Sequence, residues 1–246
     1  MLSVPQKSNS GSKAKIVFTI ACVIYAGVTG PGTRHASPLD LRAAALDGAA
    51  EDAVDLAKIL KGVEEHYNRT QTLQVSFAEI FTMQGRKRTE KGDLYLRKPG
   101  RMRWQYSTPA GKLFVSDGKY IYSYIPSENR AERINFKETE DMRAPLAFLL
   151  GRLNFHDDFR DFRQEPDGRG SLFITAIPKS DKLPYTEATF LVSPDSVIHY
   201  IEVKGQEGSV TEFTFEGEKK NPLLSDALFR FTPPPGAEYV DSARQH

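Results

Sequence analysis

Two periodicities divide the chain. Leu56, Ile59, Leu60, Val63 and Tyr67 recur at the i, i+3, i+4, i+7, i+11 spacing of one helix face, with Lys58, Lys61, Glu64 and Glu65 on the other side. This spacing predicts an amphipathic helix over 51–68. After Thr72 the period becomes two. Val75, Phe77 and Phe81 alternate with Gln74, Ser76 and Ala78; Leu94 and Leu96 with Tyr95 and Arg97; Met102, Trp104 and Tyr106 with Arg101, Arg103 and Gln105. Asp117-Gly118 between two β-rich runs predicts a hairpin, after which Tyr120, Tyr122 and Tyr124 share one face.

The pattern breaks over 138–155. Pro145 opens a short helical segment, 144–152, carrying Leu146, Phe148, Leu149 and Leu150 and ended by Gly151. It is apolar nearly all round, so it is expected to be covered rather than exposed. Strand patterns return at 159–164, 171–177, 185–192, 197–204 and 209–216, separated by turn sequences such as Pro166-Asp167-Gly168 and Ser193-Pro194-Asp195-Ser196. About ten short strands and few helices predict one domain over 51–246, mainly β: a large twisted sheet, a sandwich or a barrel.

The N-terminus follows a different rule. Lys7, Lys13 and Lys15 lead into an apolar run from Ile16 to Val28, with no acidic residue before Asp40. Such a run reads as a secretory signal within residues 1–37, cut somewhere in 27–37, with an uncleaved anchor as the alternative; it is shorter than the roughly 20 residues a membrane-spanning helix needs. Residues 38–50 are an Ala-rich lead-in. The 246 residues carry 33 basic and 32 acidic side chains; losing the first 37 removes four bases and no acid, for a net charge near −3. It also removes Cys22, the only cysteine, so the exported chain has no disulfide and relies on its core.

Enzyme signatures such as G-x-S-x-G, H-E-x-x-H and phosphate-binding glycine loops are absent from the sequence. His156-Asp157-Asp158 is the one polar cluster that resembles a site, and His156 the one candidate base for a hydrolase. Neither a metal nor a cofactor is expected. Between Arg86 and Arg103 eight basic residues face Glu90 and Asp93. Interleaved with aromatics, they fit nucleic-acid binding in form, but an acidic exported chain points instead to Arg86, Lys87 and Arg88 as a docking surface for an acidic partner, or to a solvated face.

By parity, one face collects Val75, Phe77, Leu94, Leu96, Met102, Trp104, Tyr106, Tyr120, Tyr122 and Tyr124. A slip of one residue in the strand of Leu94 and Leu96 would turn Tyr95 and Arg97 inward instead. Such a face is either the wall of a pocket for a large apolar ligand or an ordinary sandwich core.

Four stretches resemble the outer-membrane lipoprotein carrier family, LolA. These are Gly92-Asp93-Leu94-Tyr95-Leu96-Arg97-Lys98-Pro99; Met102-Arg103-Trp104 with Pro109; Leu113-Phe114-Val115-Ser116-Asp117-Gly118-Lys119 through Tyr124-Ile125-Pro126; and a terminal strand, Phe229-Arg230-Phe231-Thr232-Pro233-Pro234-Pro235-Gly236. The resemblance covers about 51–240. It implies a LolA/LolB-like fold, mainly β with an α lid: a single large antiparallel sheet curled into a half-open barrel and covered by short helices. Leu56, Ile59, Leu60 and Val63 of the first helix and Leu146, Phe148, Leu149 and Leu150 of the second segment would form the lid over an acyl-chain cavity.

The resemblance further implies a monomeric periplasmic chaperone of a Gram-negative bacterium. Its cargo would be triacylated lipoproteins, received from an inner-membrane ABC exporter and passed to an outer-membrane acceptor. A lipid-anchored acceptor of the same fold, or a periplasmic sensor of lipid or protein signals, are the alternatives. The chain departs from the family at one position: Lys98 stands before the strand-ending Pro99, where the family has the Arg that latches the lid. A single ammonium implies a weaker latch and a lid that opens more readily when empty.

Overall fold

The computed structural model describes residues 55–136 and 153–244. The expected signal segment 1–37, the lead-in 38–50 and the lid residues Leu146, Phe148, Leu149 and Leu150 lie outside the described residues.

Helix α1 (Leu56–Arg69) starts where Asp55 caps it, its carboxylate accepting from the backbone of Ala57 at 3.1 Å and Lys58 at 3.4 Å. His66 and Arg69 in its last turn suit the negative end of the helix dipole. Leu60, Val63 and Tyr67 are its buried stripe. The helix runs close against the turn at Ser196, where a Cβ on Gly62 would lie 2.5 Å from the Ser196 hydroxyl.

Among the described residues twelve strands form one sheet. The first six are β1 (Thr72–Met83), β2 (Arg86–Arg97), β3 (Arg101–Thr108), β4 (Leu113–Asp117), β5 (Tyr120–Ile125) and β6 (Arg130–Asn135). A short helix α2 (Phe155–Asp158) precedes β7 (Phe159–Pro166), β8 (Leu172–Pro178), β9 (Tyr185–Val192), β10 (Ile198–Gly205) and β11 (Val210–Lys220); β12 (Glu238–Asp241) closes the chain. The spatial order is β12-β6-β5-β4-β3-β2-β1-β11-β10-β9-β8-β7, so two meanders meet where β1 pairs with β11. All pairs are antiparallel except β12 with β6. The sheet is open, with β12 and β7 at its two edges.

The β1–β2 connection is a two-residue turn, Gln84-Gly85, with both residues at positive φ, the geometry that matches strand twist. The Asp117-Gly118 hairpin forms as the sequence predicts: Asp117 accepts from the backbone of Lys119 and Tyr120, both at 2.8 Å. β2 reaches back to Arg86, farther than its apolar alternation, because Arg86–Lys91 carries charges on both faces and β1 still supplies it with ladder partners.

The terminal strand expected around Phe229–Gly236 is not a strand. Asp226–Phe229 is a 3-10 turn capped by Ser225, and the strand comes later, at β12. Pro233, Pro234 and Pro235 have no N–H to give a ladder. Phe229, 2% exposed, is instead a plug against the outer face of the sheet.

One core cluster runs from Ile121 on β5 to Ile174 on β8 and takes in the buried stripe of α1. Trp104 on β3 and Phe213 on β11 are three strand spacings apart, about 14 Å on a flat sheet. Their ring centroids are 5.8 Å apart, so the apolar face is concave there.

Candidate functional site

The concave face is built in rows that follow the ladder register. Leu73, Leu96, Met102, Ser116 and Ile121 form the first row, next to the C-terminal end of α1. Val75, Leu94, Trp104 and Phe114 form the second. Phe77, Gly92 and Tyr106 form the third, and Glu79 opposite Glu90 the fourth. Phe77 meets Trp104 edge-on at 4.7 Å and Tyr106 at 5.1 Å, an arrangement favoured by the ring quadrupoles. Gly92 sits at a bulge where a Cβ would lie 2.2 Å from the Gln105 carbonyl oxygen, so no other residue fits unless the two strands part.

Seven of the residues expected on one face are thus together: Val75, Phe77, Leu94, Leu96, Met102, Trp104 and Tyr106 are all buried in the same cluster. The one-residue slip does not occur, and Tyr95 and Arg97 face the other way. Tyr120, Tyr122 and Tyr124 do not join the group, which corrects the parity reading. Ser116 pairs with Ile121 across the hairpin, so Ile121 shares the face of Met102 and the three tyrosines occupy the opposite one. The parity was ambiguous because β4 is apolar on both sides: Phe114 is buried on the inner face and Val115 on the outer.

On that outer face the C-terminal segment lies against the tyrosines. Tyr122 stacks on Phe231 at 5.3 Å, and the Arg133 guanidinium lies over the Tyr120 ring at 4.5 Å. Arg97 is the main fastener of this segment. Its guanidinium donates to the Asp226 carboxylate and the Leu224 carbonyl, and it lies over the Phe229 ring at 5.1 Å.

The C-terminal end of α1 is held by several polar contacts. Lys98 Nζ donates to the carbonyls of Tyr67 at 2.7 Å and Asn68 at 2.8 Å, two of the acceptors a helix end leaves without intrahelical partners. Burial of its stem draws the Lys98 ammonium below the usual lysine range. Glu218 binds both His66, at 2.7 Å, and the Tyr67 hydroxyl, at 3.0 Å. Burial first, and then the Glu218 charge, push the Tyr67 hydroxyl far above its ordinary range. Asn68 both donates to and accepts from the backbone of Leu153, each at 2.8 Å. A small cleft opens here, lined by Tyr67, Thr70, Leu73, Leu96 and Lys98 among others.

The fourth row went unrecognised in the sequence. Glu79 and Glu90 are each 3% exposed and Lys112 is 6% exposed. Lys112 Nζ donates to Glu90, Arg88 Nε lies 3.4 Å from the same carboxylate, and the Tyr106 hydroxyl is 3.4 Å from Glu79. The Lys112 ammonium also sits over the Tyr106 ring at 4.2 Å and the Phe114 ring at 5.4 Å. Burial, followed by the neighbouring Glu90 charge, raises the Glu79 carboxyl to about 7. The available signal was parity: Glu79 and Glu90 continue the inward positions of Phe77 and Gly92.

Of the expected docking residues, Arg86 and Lys87 are exposed at the β1–β2 tip, whereas Arg88 folds over the Phe81 ring at 5.7 Å and toward Glu90. His156 lies in α2, beside Phe162, and Asp157 is bound by its cap residue Asn154. No group of three potential metal ligands exists among the described residues.

Comparison with known proteins places these features in context. Residues 68–232 match the family described as outer membrane lipoprotein carrier protein LolA. The chain is 26% identical over 188 residues to an outer-membrane lipoprotein carrier protein of Nitrosomonas europaea, a match covering 75% of this chain and 89% of that one. A protein of the same description from Xanthomonas campestris pv. campestris is 27% identical over 207 residues, covering 81% and 91%. Among solved structures it is similar to a LolA superfamily protein from Nitrosomonas europaea, at 13% identity and a TM-score of 0.40, over 71% of this chain and 97% of that one.

Proposed function

Because the chain belongs to the LolA family of outer-membrane lipoprotein carriers, a transport family and not an enzyme family, we propose that it shelters the acyl chains of a triacylated lipoprotein between α1 and the concave face of β1–β3. In this reading the sheet is a half-barrel and α1 part of its lid. The protein works in the periplasm of a Gram-negative bacterium. It takes cargo from an ATP-driven ABC exporter in the inner membrane and gives it to an acceptor at the outer membrane.

The observation that carries the proposal is the continuous apolar surface of Leu73, Val75, Phe77, Leu94, Leu96, Met102 and Trp104, which begins beside the Lys98 fastening. Its energetics suit a carrier. Burying lipid methylenes is worth ~0.8 kcal/mol each, so a 16-carbon chain left in water costs about 13 kcal/mol. A protein surface of this kind returns at most about what the bilayer held, so loading is close to neutral or uphill and the exporter's ATP drives it. Unloading then requires only an acceptor with a somewhat better site.

The test is mass spectrometry of material copurified with the protein from periplasm, paired with quenching of Trp104 fluorescence by a brominated acyl ligand. Triacylated lipoproteins in the eluate and quenching at saturation are expected. A lipid on the protein's own N-terminus would assign it as the acceptor, and neither cargo nor quenching would favour a sensor.

A further inference from the structure

We propose that the buried quartet Glu79, Glu90, Lys112 and Arg88 is the floor of the acyl site and sets the longest chain that the site accepts. The inference rests on the carrier reading and adds a specificity to it.

The position of the quartet comes first. The concave face begins at the Leu73–Leu96–Met102 row, beside the end of α1, and runs down β1 to the Glu79–Glu90 pair. From Leu73 to Glu79 the strand advances about 20 Å, at ~3.4 Å per residue. One leaflet of bilayer hydrocarbon is roughly 15 Å deep, half of the ~30 Å core. A chain that enters beside Lys98 and lies along β1 therefore reaches the quartet with its methyl end only when it is extended to about 5 Å more than the depth of one leaflet.

The chemistry then forbids it to go on. Glu90 is held by Lys112 and Arg88, and Lys112 is in turn held between the rings of Tyr106 and Phe114. The next methylene would have to push between these charges, and hydrocarbon supplies no hydrogen bond or counter-charge in exchange. With Glu79 protonated up to about pH 7, Glu90 balances only one of Lys112 and Arg88; a hydrocarbon chain has no charge to answer either sign, so the floor acts on it by refusing apolar contact. Stability alone does not call for such a cluster, since well-packed apolar residues commonly replace buried ion pairs without loss. On β1 to β3 the apolar rows above and the charged row beneath divide the face by length, while on the β11 side the same row continues as apolar Phe213.

The test is a series of saturated fatty acids from 14 to 22 carbons, measured on the purified protein by displacement of a fluorescent fatty acid. Wild type should gain about fourfold in affinity per methylene, following the free energy of burying one CH₂, and then stop gaining at one length. Removing both partners of the central pair, Glu90→Leu with Lys112→Met, should move that length upward. The longest acids should bind it at least about tenfold tighter than wild type, with the shortest unchanged.

An unchanged limit in a double variant that keeps its circular dichroism and melting temperature would overturn the floor. Should the double variant not fold, Glu79→Leu and Glu79→Gln make the same comparison: only the leucine should extend the limit, and equal limits would refute the proposal. Failure of every acid to bind wild type would instead overturn the carrier reading beneath it.

Discussion

The Lys98 ammonium is 2.7 Å from the carbonyl oxygen of Tyr67 and 2.8 Å from that of Asn68, so one side chain from the end of β2 spans two acceptors at the end of α1. Hydrogen bonds from charged groups are worth about 1.5–3 kcal/mol each when well shielded, and less here because Lys98 is part-exposed. Lys98→Ala is expected to speed hydrogen exchange of the α1 amides by about tenfold, a change of ~1.4 kcal/mol. Lys98→Arg, with its planar fork of donors, should hold or increase protection. Arg97 cannot stand in, because it is committed to Asp226 and Leu224 on the other face. Equal exchange in all three proteins would show that Lys98 does not restrain the helix.

Glu79 gives a pH dependence of definite sign. The folded protein keeps its proton up to about pH 7, whereas the unfolded chain releases it near 4.5. Folding therefore takes up a proton between these values, and this group's contribution makes stability fall as pH rises from about 4.5 to 7, with the loss complete above that. The full shift corresponds to at most about 3 kcal/mol. Urea denaturation at about pH 4.5 and pH 8 should show Glu79→Gln gaining on wild type chiefly at the higher pH. A constant difference between the two proteins would assign the pH dependence to other groups.

Phe229 and Arg97 should be mutually dependent. Phe229→Ala removes a buried aromatic ring, at a cost of about 3 kcal/mol or more. Arg97→Ala frees Asp226 and Leu224 and uncovers the same ring, at roughly 1–2 kcal/mol. Both variants should be cleaved faster by protease within 221–237, and the double variant should lose less than the two single losses combined. Strict additivity would mean that the guanidinium and the ring act separately.

Arg86 and Lys87 are the pair to reverse in a docking test. Changing both to Glu should slow transfer to or from a membrane partner, chiefly through the on-rate, and more at low salt. Stability should hardly change, since both are exposed. Arg88→Glu is a different experiment, because it sets a third carboxylate beside Glu90 and Glu79 and should destabilise the fold itself. Transfer rates that ignore salt and both reversals would reduce the tip to a solvated surface.

The sequence made legible whatever alternation could carry. The α1 stripe, the inward set from Val75 to Tyr106 and the Asp117-Gly118 hairpin follow from period and turn chemistry alone. The tyrosines of β5 were misassigned because Phe114 and Val115 are both apolar, and parity has no sign in a strand covered on both sides. That second cover is the C-terminal segment. Its Phe229 and Phe231 alternate as a strand would, yet they serve as plugs, because the prolines after them cannot join a ladder. Glu79 and Glu90 were passed over because a carboxylate at an inward position contradicts the hydrophobic pattern that locates inward positions.

The pairing of β1 with β11 has a consequence in time. Phe77 finds its ladder partner Phe215 only after β2 through β10 have been made. At ~5–20 residues per second of synthesis, that interval is on the order of ten seconds. Throughout it the β1 edge has no native neighbour on one side, and an unpaired edge is a template for wrong ones. The middle of the sheet is therefore a late seam to close, with only the short β12–β6 edge pairing after it. A chain that ends before Val210 presents Trp104 without Phe213 and Phe77 without Phe215, an apolar face with one wall missing.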